Sequence, residues 1–391
     1  MRVLHVNKRY PPHIGGIERH VQDLARAEAQ RPEVEVEVVV VAEGPAGEEW
    51  DEGVRVHRVP GRGTVASNPL SPALHRFLLR SARSGARDVW HFHYPFPSGE
   101  LALVCSSMRS ERRPAAVCSY HSDMVAMSAA KRALSTPYAA LTWVFLRNVD
   151  ALLVASPRLA GNSRFLAASP DRIHLVPYGI DPTPFSRTPA GETAAARLRR
   201  TYGTPLTLFV GRLVPYKGVD VLLRAMPHVP GSLVLVGDGP LRRDLEGLAE
   251  QLDLAGRVRF IGSASQDDLV ALFHAADLLA LPSVTPNEAF GLVQLEAHAC
   301  GVPVVSTALP TGVPFANLHG VTGLVVAPGD SEELAAALGL LLEDESLRAE
   351  RGRRARARLL DEFTLGRMVD QVLGVYEKLA APAKAGTAFC R

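Results

Sequence analysis

Two glutamates eight positions apart flank a Phe-Gly pair in the stretch NEAFGLVQLE, residues 287–296. Apolar residues follow at helical spacing and Gly301 ends the run, which predicts a helix with Glu288 in the loop before it and Glu296 inside it. The N–H groups of the first helical turn, around residues 290–292, would lie between the two carboxylates. Such acceptors and donors suit a ligand with an anionic group and several hydroxyls. A capping glutamate with a solvated helical one is the alternative reading of this stretch.

Two basic residues occur in GRLVPYKG, residues 211–218, directly after a predicted strand. Arg212 and Lys217 would lie at the carboxyl end of that strand and point two cations at one place. A diphosphate needs such a site, because Arg can bind it through two parallel hydrogen bonds and Lys acts as a point charge. Two solvated loop cations would show the same spacing.

A glycine pair, Gly15 and Gly16, follows the first predicted strand and opens a helix. Backbone can approach a ligand closely there, and the helix N-terminus faces it. The phosphate-binding patterns GxGxxG and GxxxxGK[ST] are both absent, which disfavours a nicotinamide dehydrogenase and a P-loop site. A glycine pair alone remains weak evidence, because many strand-to-helix turns need glycine for steric reasons.

Histidines follow or occupy two further predicted strands. In YHSD, residues 120–123, His121 and Asp123 would project from a strand end into the cleft, from the wall opposite Arg212 and Lys217. A structural histidine with its hydrogen bonds satisfied is the commoner alternative for a lone His121. His91 and His93 share one face of another strand, but no third ligand stands at a useful spacing. We therefore expect no metal site there.

Short β-rich runs alternate with helical stretches from end to end, which predicts parallel sheets covered by helices on both faces. The predicted strands are 2–6, 34–42, 88–93, 115–120, 151–156, 207–211, 232–237, 258–262, 277–283, 302–307 and 323–328. The predicted helices include 17–30, 159–169, 331–342, 346–360 and 365–380. The basic run from Arg351 to Arg358 is interpreted as a solvated helix face in preference to a binding patch.

The segment 174–198 contains four prolines and two glycines, which break helices and central strands. It predicts two doubly wound domains joined near residues 178–203. Parallel sheets bind ligands at the carboxyl ends of their strands, so a cleft shared by the two domains is the expected site.

Length and composition limit the number of domains and the classes of partner that the chain can have. At 391 residues the chain is long enough for two domains, and a net charge of +2 with 6% aromatic residues gives no strong case for a nucleic-acid partner. No apolar run approaches the roughly 18 residues that span a bilayer, and no signal peptide is evident. Four cysteines lack metal or disulfide spacing. We expect a soluble, cytoplasmic protein.

Taken in chain order, these motifs resemble those of the retaining GT4-type glycosyltransferases, the glycosyl transferases group 1. The motifs are GGIE, a strand-terminal HSD, GRLVPYKG, LVGDGPL, VRFIG, PNEAFGLVQLEAHACGVPVVS and TGLVVAPGD. The resemblance implies the GT-B fold, an α/β architecture of two doubly wound Rossmann-like domains facing a central cleft. It implies an acceptor-binding domain over residues 1–180, with a helix at 364–380 that packs back on it, and a nucleotide-sugar domain over 200–363.

The resemblance also implies a role for each candidate residue. Glu296 would hold the ribose hydroxyls of a nucleotide sugar, and Glu288 would lie beside the transferred sugar. Arg212 and Lys217 would bind the diphosphate and stabilise the charge that builds on it. His121 would face the donor sugar or phosphate. The remaining implied binding residues are Gly15 and Gly16 on the acceptor and diphosphate side, Val258, Phe260 and Gly262 against the base, and Ala289, Phe290, Gly291 and Leu292 at the helix N-terminus.

The implied reaction moves a hexosyl unit from a UDP- or GDP-linked donor to a hydroxyl of a glycan, lipid-linked or small-molecule acceptor. Fixed cations can replace Mg²⁺, and no DxD stands at the expected place, so no metal and no cofactor are expected. The stretch TALPTGVPFANLHG, residues 307–320, resembles mannosyl- and rhamnosyltransferases. A sugar-nucleotide epimerase and a non-catalytic nucleotide-sugar-binding protein are the alternatives on this scaffold.

One segment bears on a membrane partner. Residues 127–147 mix apolar residues with Lys131, Arg132 and Arg147, so this segment could contact a membrane surface. A helix packed on its own sheet is the favoured interpretation.

Overall fold

The computed structural model describes residues 1–13, 15–65, 68–107, 113–123 and 129–380. The chain divides into two compact units. Unit 1 is Met1–Tyr178 together with the segment that begins at Leu365, and unit 2 is Gly179–Thr364.

The strands are β1 Arg2–Val6, β2 Glu35–Val41, β3 Gly47–Asp51, β4 Val54–Val59, β5 Thr64–Val65, β6 Asn68–Pro69, β7 Val89–Tyr94, β8 Ala115–Tyr120, β9 Ala151–Val154, β10 Ile173–Leu175, β11 Leu206–Val210, β12 Ser232–Val236, β13 Val258–Gly262, β14 Leu278–Leu281, β15 Val304–Thr307 and β16 Gly323–Val326. The helices are α1 Gly16–Ala29, α2 Pro72–Ser84, α3 Pro97–Ser107, α4 Ala129–Arg147, α5 Pro157–Asn162, α6 Pro189–Tyr202, α7 Val219–Ala225, α8 Arg242–Gln251, α9 Gln266–Ala275, α10 Leu292–Ala299, α11 Val313–Ala316, α12 Ser331–Glu343, α13 Glu345–Glu362 and α14 Leu365–Ala380.

Unit 1 is built on an eight-stranded sheet with the order β10-β9-β8-β7-β1-β2-β4-β3. Its central strand β7 is buried at every residue, as expected for a parallel strand covered on both faces. Helix α14 packs against α1 and β8. The buried residues of α14 recur at helical spacing: Met368, Val369, Val372, Leu373, Val375 and Tyr376.

The prediction of purely parallel sheets is wrong in unit 1, where β5 pairs antiparallel with β6 and one edge of the eight-stranded sheet is also antiparallel. Strand β3 pairs antiparallel with β4, and Asp51 faces Val54 across a two-residue turn. Both turn residues, Glu52 and Gly53, have positive φ (46° and 89°), which is the backbone that a tight hairpin requires.

The helix predicted over 159–169 is also wrong in its extent. Helix α5 ends at Asn162, because Ser163 is extended (φ −80°, ψ 117°), and only a short 3₁₀ turn, Leu166–Ala168, follows.

Unit 2 contains a six-stranded, wholly parallel sheet with the order β13-β12-β11-β14-β15-β16. In chain order this is 3-2-1-4-5-6, the doubly wound arrangement of nucleotide-binding folds. The connections reverse direction between β11 and β14, so a crevice forms beyond the carboxyl ends of these two neighbours. The beginning and end of unit 2 meet, since Ile180 N–H donates to Phe363 O at 2.9 Å.

The segment considered for membrane contact contains the whole of α4, where Thr142, Phe145 and Leu146 are buried and Arg147 is exposed. This burial agrees with a helix packed on its own unit. The side chains of Lys131 and Arg132 lie outside the described residues. Among the described helices, none is long and apolar enough to cross a bilayer.

Candidate functional site

The loops after β11 and β14 meet at the switch point of the unit 2 sheet. Val284 N–H donates to Tyr216 O at 2.8 Å. Gly218 lies against the second loop in the left-handed region (φ 65°), and a Cβ placed there would come within 2.2 Å of Pro282 O. Because both the backbone angle and this close approach require glycine, Gly218 sets the distance between the two loops.

Lys217 and Glu288 form a nearly buried ion pair in this crevice. Lys217 Nζ lies 2.5 Å from Glu288 Oε2, and the side chains are only 12% and 10% exposed. Burial opposes the charge of Lys217, but the Glu288 carboxylate outweighs it and raises the pKa of the ammonium above its ordinary value. The sequence correctly placed Lys217 after the carboxyl end of β11 and Glu288 in the loop before α10, but it did not predict that they pair.

Two hydroxyls support the ion pair. Ser283 Oγ donates to Glu288 Oε2 at 3.0 Å, and Thr307 Oγ1 donates to Ser283 O at 2.5 Å. Sequence reasoning missed both residues. The signal was available, because each ends or follows a strand whose carboxyl end reaches this edge.

Arg212 follows β11 directly and is exposed. No acid of the described chain forms an ion pair with it, whereas Lys217 is neutralised by Glu288. Arg212 therefore supplies the uncompensated positive charge of the crevice.

Helix α10 begins in the same crevice. Gly291 caps it with a left-handed φ of 72°, and a Cβ there would lie 2.5 Å from Leu281 Cδ2. The preceding turn is anchored, because Gly312 N–H donates to Ala289 O and Gln294 Nε2 donates to Phe290 O, both at 2.7 Å. The first-turn N–H groups, beginning at Leu292, therefore stand at a rigid helix start.

Glu296 lies on α10, one turn after Leu292, and is 8% exposed. Its position inside the helix agrees with the sequence-based placement.

Strand β13, expected to contact a base, forms an edge of the unit 2 sheet. Val258 is 6% exposed and belongs to the core. The carbonyls of Phe260 and Gly262 already accept hydrogen bonds, from Arg242 Nη2 at 3.2 Å and from Gly237 N–H at 2.7 Å. Of these three residues, only Phe260 and Gly262 retain partial exposure toward a ligand.

In unit 1, Gly15 caps α1 and Gly16 begins it. A Cβ on Gly16 would meet no atom within 4 Å, whereas a Cβ on Gly15 would lie 2.1 Å from Glu18 Oε2. The carboxylate of Glu18 thus covers the start of α1, where an anion is favoured by the helix dipole. The sequence carried this signal, since Glu18 stands at the third helical position, where the helix dipole favours an acidic side chain.

His121 ends a hydrogen-bonded chain of buried histidines. His121 Nε2 lies 3.2 Å from His93 Nδ1, His93 Nε2 lies 3.1 Å from His5 Nδ1, and His5 Nε2 lies 2.7 Å from Glu28 Oε2. The Tyr178 hydroxyl contacts the remaining nitrogen of His121. One arrangement that satisfies every contact has each ring donating through Nε2 toward Glu28 and accepting at Nδ1, with Tyr178 donating to His121.

A second branch meets the same carboxylate. The Tyr376 hydroxyl lies 3.2 Å from Glu28 Oε1 and 2.5 Å from His91 Nδ1, and His91 Nε2 lies 2.8 Å from Ser119 Oγ. Burial lowers the pKa of His20 to about 3. Burial likewise lowers the pKa values of three further rings well below their ordinary range, those of His91, His93 and His121.

The expectation that His91 and His93 lack a third ligand is wrong. His5 on β1 stands opposite His91 on β7, and parallel register brings it beside both histidines. Two groups bring their ligand atoms within 4.8 Å of one another: His5 with His91 and His93, and His20 with His93 and His121. The hydrogen bonds already use both ring nitrogens of every member except His20, which favours a neutral hydrogen-bonded cluster over a metal centre.

Asp123 is likewise held internally. It accepts hydrogen bonds from Ser163 Oγ at 2.7 Å and from the Tyr120 hydroxyl. Both of these hydrogen bonds reach Oδ1 of Asp123. His121 is 2% exposed and both its ring nitrogens have partners, so its ring presents no unoccupied nitrogen.

Comparison with known proteins decides the family. The family model described as Glycosyl transferases group 1 matches residues 192–358, and the model described as Glycosyltransferase Family 4 matches residues 14–183. The O-antigen chain mannosyltransferase C of Escherichia coli is 31% identical over 384 residues, covering 97% of this chain and 99% of that protein. The chain belongs to the GT4 glycosyltransferase family.

Two further similarities support this GT4 glycosyltransferase assignment. D-rhamnosyltransferase WbpZ of Pseudomonas aeruginosa is 31% identical over 369 residues, covering 93% of this chain and 92% of that protein. The crystal structure of Anabaena HepE in complex with UDP matches with a TM-score of 0.77 at 22% identity, covering 97% of this chain and all of that one (100%). The fold of this glycosyltransferase is GT-B.

Proposed function

We propose that this glycosyltransferase transfers a hexosyl unit of manno configuration from a UDP- or GDP-linked donor to a hydroxyl of a glycan, lipid-linked or small-molecule acceptor. Two relatives similar over nearly their whole length carry mannosyltransferase and D-rhamnosyltransferase names, and D-rhamnose is 6-deoxymannose. The O-antigen name of the first relative favours a glycan acceptor in polysaccharide biosynthesis.

The observation that carries the proposal is the Lys217–Glu288 pair beside the exposed Arg212. A bound diphosphate would be a second anionic partner for Lys217 and would form an ion pair with Arg212. Glu288, still held by Ser283, is then available to accept hydrogen bonds from hydroxyls of the donor sugar. Glu296 would accept from the ribose. When Lys217 binds the diphosphate, Glu288 thus becomes available to the sugar, so one change of partners positions both parts of the donor.

The proposed reaction proceeds with retention and without a metal. The bond between the anomeric carbon and the phosphate oxygen breaks, and the acceptor oxygen bonds to the same face of that carbon. The departing phosphate oxygen takes the proton of the acceptor hydroxyl. Arg212, Lys217 and the N-terminus of α10 supply the positive charge that a divalent cation would otherwise bring to the leaving group.

The test is a mass balance in EDTA with a panel of GDP- and UDP-sugars. Transfer requires that nucleoside diphosphate appears in step with the glycosylated acceptor. A donor epimer formed without nucleotide release would show an epimerase, and nucleotide binding without turnover would show a binding protein. Activity that returns only with Mg²⁺ or Mn²⁺ would overturn the metal-independent mechanism.

A further inference from the structure

A second cavity in unit 2 lies at the opposite end of α10 from the crevice. It holds about 440 Å³ and is lined by Phe185, His274, residues 299–301 and three arginines: Arg187, Arg353 and Arg356. Helix α10 has eight residues, so roughly 12 Å separate its two ends. The cavity is therefore a separate site, and the proposed reaction does not use it.

The arginines of α13 divide into two groups. Four contact acceptors within the protein: Arg348 the carbonyls of Leu341 and Leu342, Arg351 and Arg354 the carboxylate of Glu350, and Arg358 that of Glu362. Arg353 and Arg356 form no ion pair with any residue in the described part of the chain. These two are the members of α13's basic run that line the cavity.

The third arginine of the cavity, Arg187, has only a weak and solvent-exposed ion pair. Arg187 Nη1 lies 3.7 Å from Glu192 Oε1, with the two side chains 67% and 58% exposed, so solvent screens this contact. No acidic residue lines the cavity. Burial lowers the pKa of His274, and the charges of Arg187 and Arg356 lower it further. Three like charges therefore line one concave surface that has no acidic residue among its lining residues.

The floor of the cavity is apolar and its shape is fixed by packing. Phe185 is 2% exposed and Ala299 is 4% exposed. Gly352 lets α13 approach the end of α10, since a Cβ there would lie 2.0 Å from Gly301 O. This contact holds the segment that carries Arg353 and Arg356 against the rim.

We propose that this cavity binds a small phosphorylated organic molecule. The three guanidiniums would hold the phosphate, for which their planar donors are suited, and the apolar part would lie on Phe185 and Ala299. The cavity volume of about 440 Å³ fits one small ligand. The concave shape favours a molecule free in solution over a lipid headgroup at a membrane surface.

Calorimetric titration of the full chain with phenyl phosphate tests the proposal, because this probe joins a phosphate to a flat apolar group. The background is Arg212→Ala/Lys217→Ala, which removes phosphate binding at the crevice. In that background we expect Arg353→Ala/Arg356→Ala to weaken the binding of phenyl phosphate about tenfold or more. Each substitution removes a guanidinium, so the phosphate loses a charge-assisted hydrogen bond each time. Arg354→Ala, one residue away and paired with Glu350, is the matched control and should bind as the background does.

Two results would overturn the proposal: no binding of phenyl phosphate to the background protein, or equal binding by the double variant and the control. Arg356→Glu provides a second cavity variant, and thermal unfolding without ligand verifies that each variant is folded. Sedimentation with phosphatidylglycerol vesicles, against phosphatidylcholine vesicles, separates the two sources of phosphate. Vesicle binding that depends on Arg353 and Arg356, without phenyl phosphate binding, would make the surface a membrane contact and refute the small-molecule site.

Discussion

Lys217 and Glu288 neutralise each other before any donor arrives, so a substitution at either residue acts on stability as well as on turnover. We expect Lys217→Ala to lower the free energy of unfolding by about 3–5 kcal/mol, because it leaves a nearly buried carboxylate with Ser283 as its remaining partner. The double variant Lys217→Ala/Glu288→Ala should lose less than the sum of the single losses. Urea unfolding of the four proteins measures this coupling.

Activity separates the two roles of the pair. The double variant should recover part of the stability but none of the turnover, because the diphosphate still lacks its ammonium. Near wild-type turnover in Lys217→Ala would show that the diphosphate assignment is wrong.

Glu296 has a simpler expected effect. Glu296→Ala should weaken binding of the nucleotide about tenfold to a hundredfold, because hydrogen bonds to a carboxylate contribute about 1.5–3 kcal/mol. Titration with UDP and GDP measures the dissociation constants. Since the proposed contact is with the ribose, unaltered nucleotide affinity would remove Glu296 from that role.

Glu100 in unit 1 provides a test at a single buried carboxyl. Burial raises its pKa to about 7, although Phe96 N–H and the Tyr138 hydroxyl donate to Oε1. Because the pKa of this carboxyl is 4.5 in the unfolded chain and about 7 in the folded protein, the folded protein loses stability as the pH rises from 4.5 through 7. We therefore expect Glu100→Gln to stabilise the protein by about 1–3 kcal/mol at pH 8 and by much less at pH 4.5. Denaturant unfolding at both pH values measures the difference, and equal effects would contradict the buried ionisation.

At the scale of elements, the histidine cluster joins two central strands to two helices. β1 contributes His5, β7 contributes His91 and His93, α1 contributes Glu28 and His20, and α14 contributes Tyr376. The buried cluster favours the neutral forms of His20, His91, His93 and His121, so the packing of unit 1 depends on them.

This condition predicts sensitivity to acid. The folded pKa values of His20, His91, His93 and His121 lie below the ordinary 6.5, so the unfolded chain binds more protons below that pH. Stability present above about pH 6.5 should fall as the pH drops, by about 1.4 kcal/mol per pH unit for each histidine that stays neutral when folded. Unfolding at pH 7.5, 6.5 and 5.5 tests the trend. His20→Gln should flatten it, whereas His228→Gln, at an exposed position, should not.

Helices and strands were predictable from sequence where the pattern of residues within a single segment indicates the structure. The valine-rich strands, the amphipathic α14 and the loop-then-helix arrangement around Glu288 and Glu296 all appear as expected. The β3–β4 hairpin was missed because Glu52 and Gly53 do not form one of the common turn pairs. Contacts between separate segments, such as His5 with His93 or Lys217 with Glu288, depend on strand register and loop packing, which residue spacing does not reveal.

At the scale of the whole molecule, unit 2 is one continuous segment whose two ends are hydrogen-bonded to each other. We expect residues 179–364 to fold by themselves with a cooperative thermal transition. Because Arg212, Lys217, Glu288 and Glu296 all belong to unit 2, this fragment should also be stabilised by the preferred nucleotide. Circular dichroism and thermal shift measure the two properties. A folded fragment that no nucleotide stabilises would show that donor binding needs residues of unit 1.

Unit 1, in contrast, is completed only by α14, which follows unit 2 in the chain. A ribosome adds residues in order, so the first 178 residues emerge long before Tyr376 can reach His91 and Glu28. During that interval the surface of α1 and β8 that α14 later covers is open to water and to other chains. Unit 2 can therefore be finished before unit 1, because the helix that completes unit 1 is synthesised after unit 2.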